Sequence, residues 1–598
     1  MSAALIGEWS RLLAASLAEA GIVHAVICPG SRSTPFAWAL AERPELVCHS
    51  LIDERDAPFF ALGLARVTGE PALVLSTSGS AAANFFPAVV EARLARLPLL
   101  VVTADRPLEL QAAEAPQTID QVKLYGDHVR AFFDLGAPEA APSALAGLKR
   151  SVLQAVLATR QPERGPVHLN ARARKPLEPV AATPNDHALV EAVDALVKRG
   201  TTRVSRAGAL PDPAAVAELA QELGRSERAL VVCGPLPLFR ERTGPLVREL
   251  AARLGAPVFA EATSGARFGE EAASGADALD WLLRSAAFRS GLAPDCVLRI
   301  GAPPTSGGLE PWLAEHPEIA LHALAEHGHP DALGRARTLT LAPIEALLEA
   351  LTQALAPHEP HAEQRAFAER IERANEAAWQ SVRAVTERAP SFGEPEAVRL
   401  ALESIPAGGL LVLGNSLPVR LLDSFVPAAA RRVRVASQRG ANGIDGLVAG
   451  AAGSALAARC PTLLLLGDVS LAHDLGGLAA ARLVRTPLAL VVLDNGGGRI
   501  FEQLPVARLW ERAPERAELW LTPPALAFEH AAALFDLPYV APRDAAELRT
   551  ALARCFEHPG ATLVHVRVEP HGARDTTRAV VAELERTLTE ALELGARV

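Results

Sequence analysis

Glu54, Asp468 and Asn495 are the side chains whose types and surroundings best suit chemistry. Gly467-Asp468-Val469-Ser470 follows the apolar run Thr462–Leu466, and Asp494-Asn495-Gly496-Gly497-Gly498 follows the run Leu488–Leu493. A carboxylate and an amide oxygen therefore leave the ends of two successive predicted strands. Mg²⁺ is a hard ion that takes oxygen ligands octahedrally, few of them from protein and the rest from phosphate and water. Asp468, the Asn495 side-chain oxygen and a backbone carbonyl near Gly497 make such a set, and the glycines let backbone come close. Read singly, Gly-Asp and Asn-Gly are ordinary turn dipeptides. Glu54, in Leu51-Ile52-Asp53-Glu54-Arg55, falls between a predicted strand and a helical pattern. A carboxylate there can be a helix cap, and position alone favours that use.

Those groups need a scaffold that gathers strand ends. Short apolar runs occur at His24–Cys28, Val47–Ile52, Ala72–Ser76, Leu99–Thr103 and Val167–Asn170, with apolar residues at helical spacing over Asp56–Val67 and Ala81–Leu97. Short runs joined by helix-length crossovers imply parallel strands. A first α/β unit carrying Glu54 is expected over residues 1–180. The Pro- and Ala-rich passage from Lys175 to Asn185, with the polar stretch to Pro213, reads as a linker. Linker and middle α/β unit fill 181–365, with strands at Ala229–Cys233, Pro257–Ala260, Cys296–Ile300 and Ile319–Ala323. The third unit, 366–598, carries strands at Gly409–Leu413, Val433–Ala436, Thr462–Leu466, Leu488–Leu493 and Thr562–Val568. Its last helix, from Ala573 to Leu594, reads as an outer packing helix. The expected fold class is α/β, three doubly wound parallel sheets whose ligands sit at the carboxyl ends of the strands.

Composition narrows the function classes. At 598 residues the chain exceeds what one hydrophobic core supports. Hydrophobic residues at 49% and charged residues at 21% describe a globular chain rather than a disordered one. The net charge of −10 comes from acidic and basic residues mixed along the sequence, without a basic block, so nucleic acid is not expected as a partner. Six cysteines stand far apart, in no CxxC pair, and read as buried thiols in a reducing cytosol. Met1–Ala20 reads as an amphipathic helix without the basic start of a signal peptide. No apolar stretch reaches the roughly 20 residues of a membrane span, and the expected location is cytoplasmic. Neither GxxxxGK[ST] nor GxGxxG opens a unit, which disfavours a P-loop or dinucleotide site. The histidines form no metal-spaced pair, and most read as surface or capping residues.

Taken together, the two strand-end motifs resemble the GDG…N signature of thiamine-diphosphate enzymes, with Val469 where a second glycine is usual. In that superfamily the activating glutamate comes from the first α/β domain at a strand-to-helix junction, which turns Glu54 from a cap into a candidate acid. Further motifs narrow the resemblance. They are Cys28-Pro-Gly-Ser-Arg-Ser-Thr-Pro35, Asp53-Glu-Arg55, Thr77-Ser-Gly-Ser-Ala-Ala-Ala-Asn84, Thr103-Ala-Asp-Arg-Pro107, Gly414-Asn-Ser416 with Arg420, Arg439-Gly-Ala-Asn-Gly-Ile-Asp-Gly446 and Gly497-Gly-Arg-Ile-Phe501. In that order, and over nearly the whole chain, they resemble the 2-succinyl-5-enolpyruvyl-6-hydroxy-3-cyclohexene-1-carboxylate synthase family of the menaquinone pathway.

The resemblance implies a decarboxylating addition of 2-oxoglutarate to isochorismate, with thiamine diphosphate and Mg²⁺ as cofactors and Mn²⁺ as a substitute metal. It implies a pyrimidine-binding first unit, a middle unit and a diphosphate-binding third unit. The cofactor spans two subunits, so a homodimer or a dimer of dimers is expected. Glu54 is the implied catalytic residue; Asp468, Asn495 and Gly497 the metal ligands; Ser470, Ile444, Ile500, Phe501 and Leu504 further cofactor contacts. Ser31, Arg32, Arg106 and Gln117 are implied substrate contacts on the first-unit side, and Ser416, Arg420 and Arg439 on the third-unit side. The substrates fit that set, because each carries two carboxylates and such ligands call for cationic forks.

One departure stands out. The family often has a basic residue after a Pro-Thr-Ser stretch in the middle unit, whereas Pro304-Thr305-Ser306 is followed here by Gly307-Gly308. That leaves open a second reading, another thiamine-diphosphate-dependent 2-oxoacid decarboxylase or carboligase with a different acceptor. A catalytically idle three-unit scaffold is a third reading, against which Glu54, Asp468 and Asn495 stand intact. The middle unit lacks a dinucleotide fingerprint, so FAD is not expected.

Overall fold

The computed structural model describes residues 4–205, 208–269 and 277–595. Its apolar runs pair into three sheets in which every strand neighbour is parallel. The first holds β1 (His24–Ile27), β2 (Val47–Ser50), β3 (Ala72–Ser76), β4 (Leu99–Asp105), β5 (Ala131–Asp134) and β6 (Pro166–Arg172), in the order β2-β1-β3-β4-β6-β5. The middle sheet holds β7 (Ala229–Cys233), β8 (Val258–Ala260), β9 (Cys296–Ile300), β10 (Ala320–Ala325) and β11 (Ala336–Leu341), in the order β11-β10-β9-β7-β8. The third holds β12 (Leu410–Leu413), β13 (Arg434–Ser437), β14 (Thr462–Gly467), β15 (Leu488–Asp494), β16 (Tyr539–Val540) and β17 (Ala561–Arg567), in the order β13-β12-β14-β15-β17-β16. The first and third orders are the same pattern. In each, the chain steps from the opening strand to one side and then returns to its other side. The resulting switch points, between β1 and β3 and between β12 and β14, are where ligands of open α/β sheets bind.

The first and third units share one core. Phe59, Phe60, Leu62 and Val89 pack with Val448, Ala451, Leu464 and Val492 in a single buried cluster. At its centre the helix Asp56–Thr68 crosses the helix Leu447–Ala458, whose sequence LVAGAAGSALAA is mostly small residues. The crossing is tight. A Cβ added at Gly63 would lie 2.1 Å from the Gly450 carbonyl oxygen, and one at Gly453 would lie 2.0 Å from that of Phe60. The helix that follows Glu54 is thereby locked against the helix that follows Ile444.

Several expectations need correction. The stretch between Lys175 and Pro213 is not all linker: His187–Arg199 is a helix whose Leu189 and Val193 are buried in the first unit's outer core. The pattern Ala81–Leu97 is two helices, Ser80–Asn84 and Phe86–Ala95, because Pro87 cannot donate within a continuous helix and instead fits the first turn of the second. Strands β5, β11 and β16 had no apolar run to announce them. Each lies at a sheet edge and is only partly buried. His168, His322 and His565 are buried and hydrogen-bonded, to Thr103, Thr338 and Asp494 respectively.

Candidate active site

The third sheet builds one half of the site. Asp468 leaves the end of β14 and opens the short helix Asp468–His473, while Asn495 leaves the end of the neighbouring β15. Asp468 is 2% exposed; its Oδ1 accepts the Val469 N–H at 2.9 Å and its Oδ2 accepts the Gly497 N–H at 2.7 Å. Val469 is helical, so the position of the missing second glycine makes no conformational demand that only glycine meets. Burial, with the Asp494 charge adding, pushes the Asp468 carboxyl up to about 6. Asp494 itself is held below its usual range, first by the His565 Nε2 at 2.7 Å. Gly497 has φ 121°, and a Cβ there would meet the Leu521 carbonyl oxygen at 2.1 Å, so this turn requires glycine.

Asn495 is oriented by a residue that the motifs did not reveal. Its Nδ2 donates to Glu394 Oε1 at 2.8 Å, while its Oδ1 is buried without a partner. Glu394, 1% exposed at the start of the helix Glu394–Ser404, is pushed up to about 7 by burial. A buried amide oxygen without a donor beside a buried carboxylate is a donor set that fits a hard metal ion whose remaining ligands come from phosphate and water.

Around this pair lies a cavity of about 200 Å³. Ser416, Ile444, Asp468, Ser470, Asn495, Gly497, Ile500 and Phe501 all line it, together with Glu394, Trp520 and Thr522. A second chamber of about 330 Å³ adjoins it, sharing Leu417 and Ile500 and lined also by Arg420 and Leu504. Ser416 holds φ 70° and ψ −125° before the helix Leu417–Phe425, a strained backbone of the kind concentrated at functional sites. Its carbonyl oxygen accepts from Arg420 Nη1 at 2.7 Å. Arg439 departs from its expected company. It lines a third cleft, and its Nη1 donates to Asn415 Oδ1 at 3.2 Å. Asn415 also donates to the carbonyls of Gln438 and Gly443, both at 2.7 Å, which fixes the loop that presents Ile444.

The first sheet builds a separate cluster. Ser31 and Arg32 lie in the turn after β1, packed on the turn after β3: a Cβ at Gly30 would sit 2.3 Å from the Thr77 Cβ. Arg32 is buried, its Nη1 donating to the Ala173 carbonyl at 2.6 Å and its Nε without a partner. Burial, and then the Arg106 charge, lower its pKa. Arg106, after β4, donates to the Pro116 carbonyl at 2.8 Å, and Gln117 donates to the Ser78 carbonyl at 3.1 Å. Glu54 is half-buried in the turn before the helix Asp56–Thr68. It is not the cap: Asp53 Oδ1 accepts the Arg55 N–H at 2.8 Å, and Glu54 makes no side-chain hydrogen bond or ion pair among the described residues. Burial raises the Cys28 thiol well above its usual value, and the Glu54 charge is the next contribution, which places that carboxylate near the end of β1. None of Ser31, Arg32, Glu54, Arg106 and Gln117 lines either cavity of the same chain's third unit.

Fold and donor set fit a thiamine-dependent enzyme, and sequence comparison shows one. The family descriptions "Thiamine pyrophosphate enzyme, N-terminal TPP binding domain" and "Thiamine pyrophosphate enzyme, C-terminal TPP binding domain" match residues 8–124 and 430–566. A benzoylformate decarboxylase structure from Polynucleobacter necessarius superposes with a TM-score of 0.71 over 94% of this chain and 98% of that one, at 17% identity, a likeness of fold alone. Nearer in sequence is a 2-succinyl-5-enolpyruvyl-6-hydroxy-3-cyclohexene-1-carboxylate synthase of Sorangium cellulosum, 45% identical over 95% of this chain and 93% of its own. A synthase of the same name from Myxococcus xanthus is 38% identical over 97% and 98%. The chain belongs to this synthase family.

Proposed function

We propose that the protein joins 2-oxoglutarate to isochorismate with loss of CO₂, giving 2-succinyl-5-enolpyruvyl-6-hydroxy-3-cyclohexene-1-carboxylate in menaquinone biosynthesis. The observation that carries this reading is the 45% identity over nearly the full length of both chains to a synthase named for that product. Asp468, Asn495 Oδ1 and the Gly497 carbonyl would hold Mg²⁺, or Mn²⁺ in its place, and through it the diphosphate of thiamine diphosphate. Ser470, Ile444, Ile500, Phe501 and Leu504 would enclose the cofactor. Bound there, thiamine diphosphate supplies a carbon nucleophile and an electron sink for decarboxylation of a 2-oxo acid. Glu54 would hold and return a proton at its carboxylate, toward the cofactor's pyrimidine ring. Arg32, Arg106 and Arg420, with Ser31, Gln117 and Ser416, would bind and orient the substrate carboxylates, Arg439 would hold Asn415 and with it the loop of Ile444, and the apolar wall would exclude water.

Such a site needs two copies of the chain. Glu54 lies outside the cavity around Asp468 in its own chain, so the acid and the metal cradle meet only if a second copy supplies one of them. Large apolar side chains stand exposed on both halves: Ile52, Leu108 and Val122 beside the first cluster, and Leu504, Leu509, Leu519 and Leu526 beside the second. Exposed apolar surface on that scale marks an interface. Six free thiols, with no helix among the described residues long and apolar enough to cross a membrane, fit a cytoplasmic setting.

Mass spectrometry of the product from 2-oxoglutarate and isochorismate, with Mg²⁺ and thiamine diphosphate restored to stripped protein, tests the activity. Absence of the expected adduct, or equal use of pyruvate as donor, would overturn it. Mixing inactive Glu54→Gln and Asp468→Ala chains tests the assembly, since mixed dimers regain one intact site. No recovery after subunit exchange would refute the shared site.

A further inference from the structure

The chamber beside the cofactor cavity carries more carboxylates than free cations. Glu261, Asp277, Asp280 and Asp423 line it, with Arg267, Arg284 and Arg420. Arg267 is engaged through both terminal nitrogens and buried: Nη1 donates to the carbonyls of Ala260 and Asp277 at 3.2 and 3.1 Å, and Nη2 to those of Asp423 and Val426 at 3.0 and 2.5 Å, while only its Nε has no partner. Among the described residues Arg420 donates once, to Ser416. Arg284 follows the short helix Leu279–Leu282 of the middle unit. Its Nε and Nη2 both reach Asp280 Oδ2, at 3.1 and 2.9 Å, and its Nη1 has no hydrogen-bond partner among the described residues. The side chain is 40% exposed.

Asp280 also fixes where that arginine stands. Its Oδ1 accepts from Ser306 Oγ at 2.8 Å, so one carboxylate ties Arg284 to the turn Pro304-Thr305-Ser306-Gly307. That turn is the place where the chain has Gly307-Gly308 and no basic residue. A Cβ at Gly307 would meet nothing within 4 Å, and its φ lies outside the left-handed range. The turn therefore has room for a long side chain and lacks one, while a cation from the neighbouring helix lines the same chamber.

We propose that Arg284 is a substrate-binding residue, which takes a carboxylate of the bound substrate together with Arg420 and supplies the positive charge that Gly307-Gly308 does not. The inference rests on the function proposed above, because only a dicarboxylate ligand gives this chamber a use for a second fork. Asp280 holds the guanidinium by one edge and leaves the other edge for the ligand.

Steady-state kinetics on Arg284→Ala, Arg284→Lys and the double variant Arg284→Ala/Gly307→Arg test it. Loss of a charge-assisted contact should raise KM for 2-oxoglutarate or isochorismate about ten- to a hundredfold in Arg284→Ala, with thiamine diphosphate affinity unchanged. Lysine should recover part of the loss. Arginine at 307 should recover it from the other side of the chamber. Unchanged KM for both substrates, or parallel losses in substrate and cofactor affinity, would overturn the assignment. So would a raised KM that Gly307→Arg leaves untouched, since the effect would then belong to packing of Arg284 over Trp281, 5.6 Å from the ring centre. Should Arg284→Ala fail to fold, Arg284→Lys and Arg284→Gln carry the same comparison. Wild-type protein inactive on both substrates together would instead sink the proposed function.

Discussion

Removal of the Glu394 carboxylate is the sharpest test of how the proposed metal cradle is built. In Glu394→Leu, Asn495 Nδ2 loses the 2.8 Å bond that is its side chain's one hydrogen bond among the described residues. The amide is then free to turn, and Oδ1 is no longer held toward the proposed Mg²⁺ site. A buried hydrogen bond to a charged group contributes about 1.5–3 kcal/mol, which is about a 10- to 150-fold weakening of Mg²⁺ binding. Binding can be read apart from turnover. Mg²⁺ is titrated into chelator-stripped protein saturated with thiamine diphosphate and followed by tryptophan fluorescence, since Trp520 lines the cavity. Glu394→Gln retains an acceptor and should bind Mg²⁺ within about threefold of the wild type. A Glu394→Leu protein with native circular dichroism and wild-type Mg²⁺ affinity would refute the reasoning.

Glu54→Gln should keep cofactor affinity and fold while losing about 10²–10⁴ in turnover, measured with both substrates saturating; unchanged turnover would remove its catalytic role. Arg420→Ala should raise KM for a carboxylate substrate by about tenfold or more while leaving thiamine diphosphate affinity intact, and equal effects on both would argue against substrate contact. Gly63→Ala should lower the melting temperature steeply, because its Cβ falls 2.1 Å from the Gly450 oxygen; overpacking of this kind costs about 1–3 kcal/mol or more, and a wild-type melting curve would contradict the crossing described. Burial, with Asp423 adding, pushes Glu261 up to about 8 from 4.5. The native chain therefore keeps a proton that the unfolded chain releases in that window, and stability should fall as pH rises through it. Melting temperatures of Glu261→Gln should show a shallower decline between those pH values, and an identical slope would exclude this group as the cause.

The alternation of apolar runs and helix-length patterns was enough to place the central strands, because a strand buried on both faces must be apolar throughout. The edge strands β5, β11 and β16 lie partly open to solvent and carry no such mark. Likewise Leu189 and Val193 stand at helical spacing inside a stretch whose prolines and polar residues dominate a linear reading. Asp468 and Asn495 were legible since each follows its strand directly in a glycine-flanked turn. Glu394 was not: it reaches Asn495 from a helix about a hundred residues earlier, and nothing local distinguishes Glu394-Pro395 from any other helix start. Nor could the motifs tell that Arg439 leans on Asn415, because its neighbours in space come from another strand end.

The glycine-lined crossing of Asp56–Thr68 and Leu447–Ala458 leaves no slack between the outer layers of a subunit. Backbone there rests on backbone, so the two layers cannot rock about this contact to admit a ligand. In the proposed dimer, the same rigid strut joins the acid that serves one reaction centre to the loop that cups the coenzyme in the other.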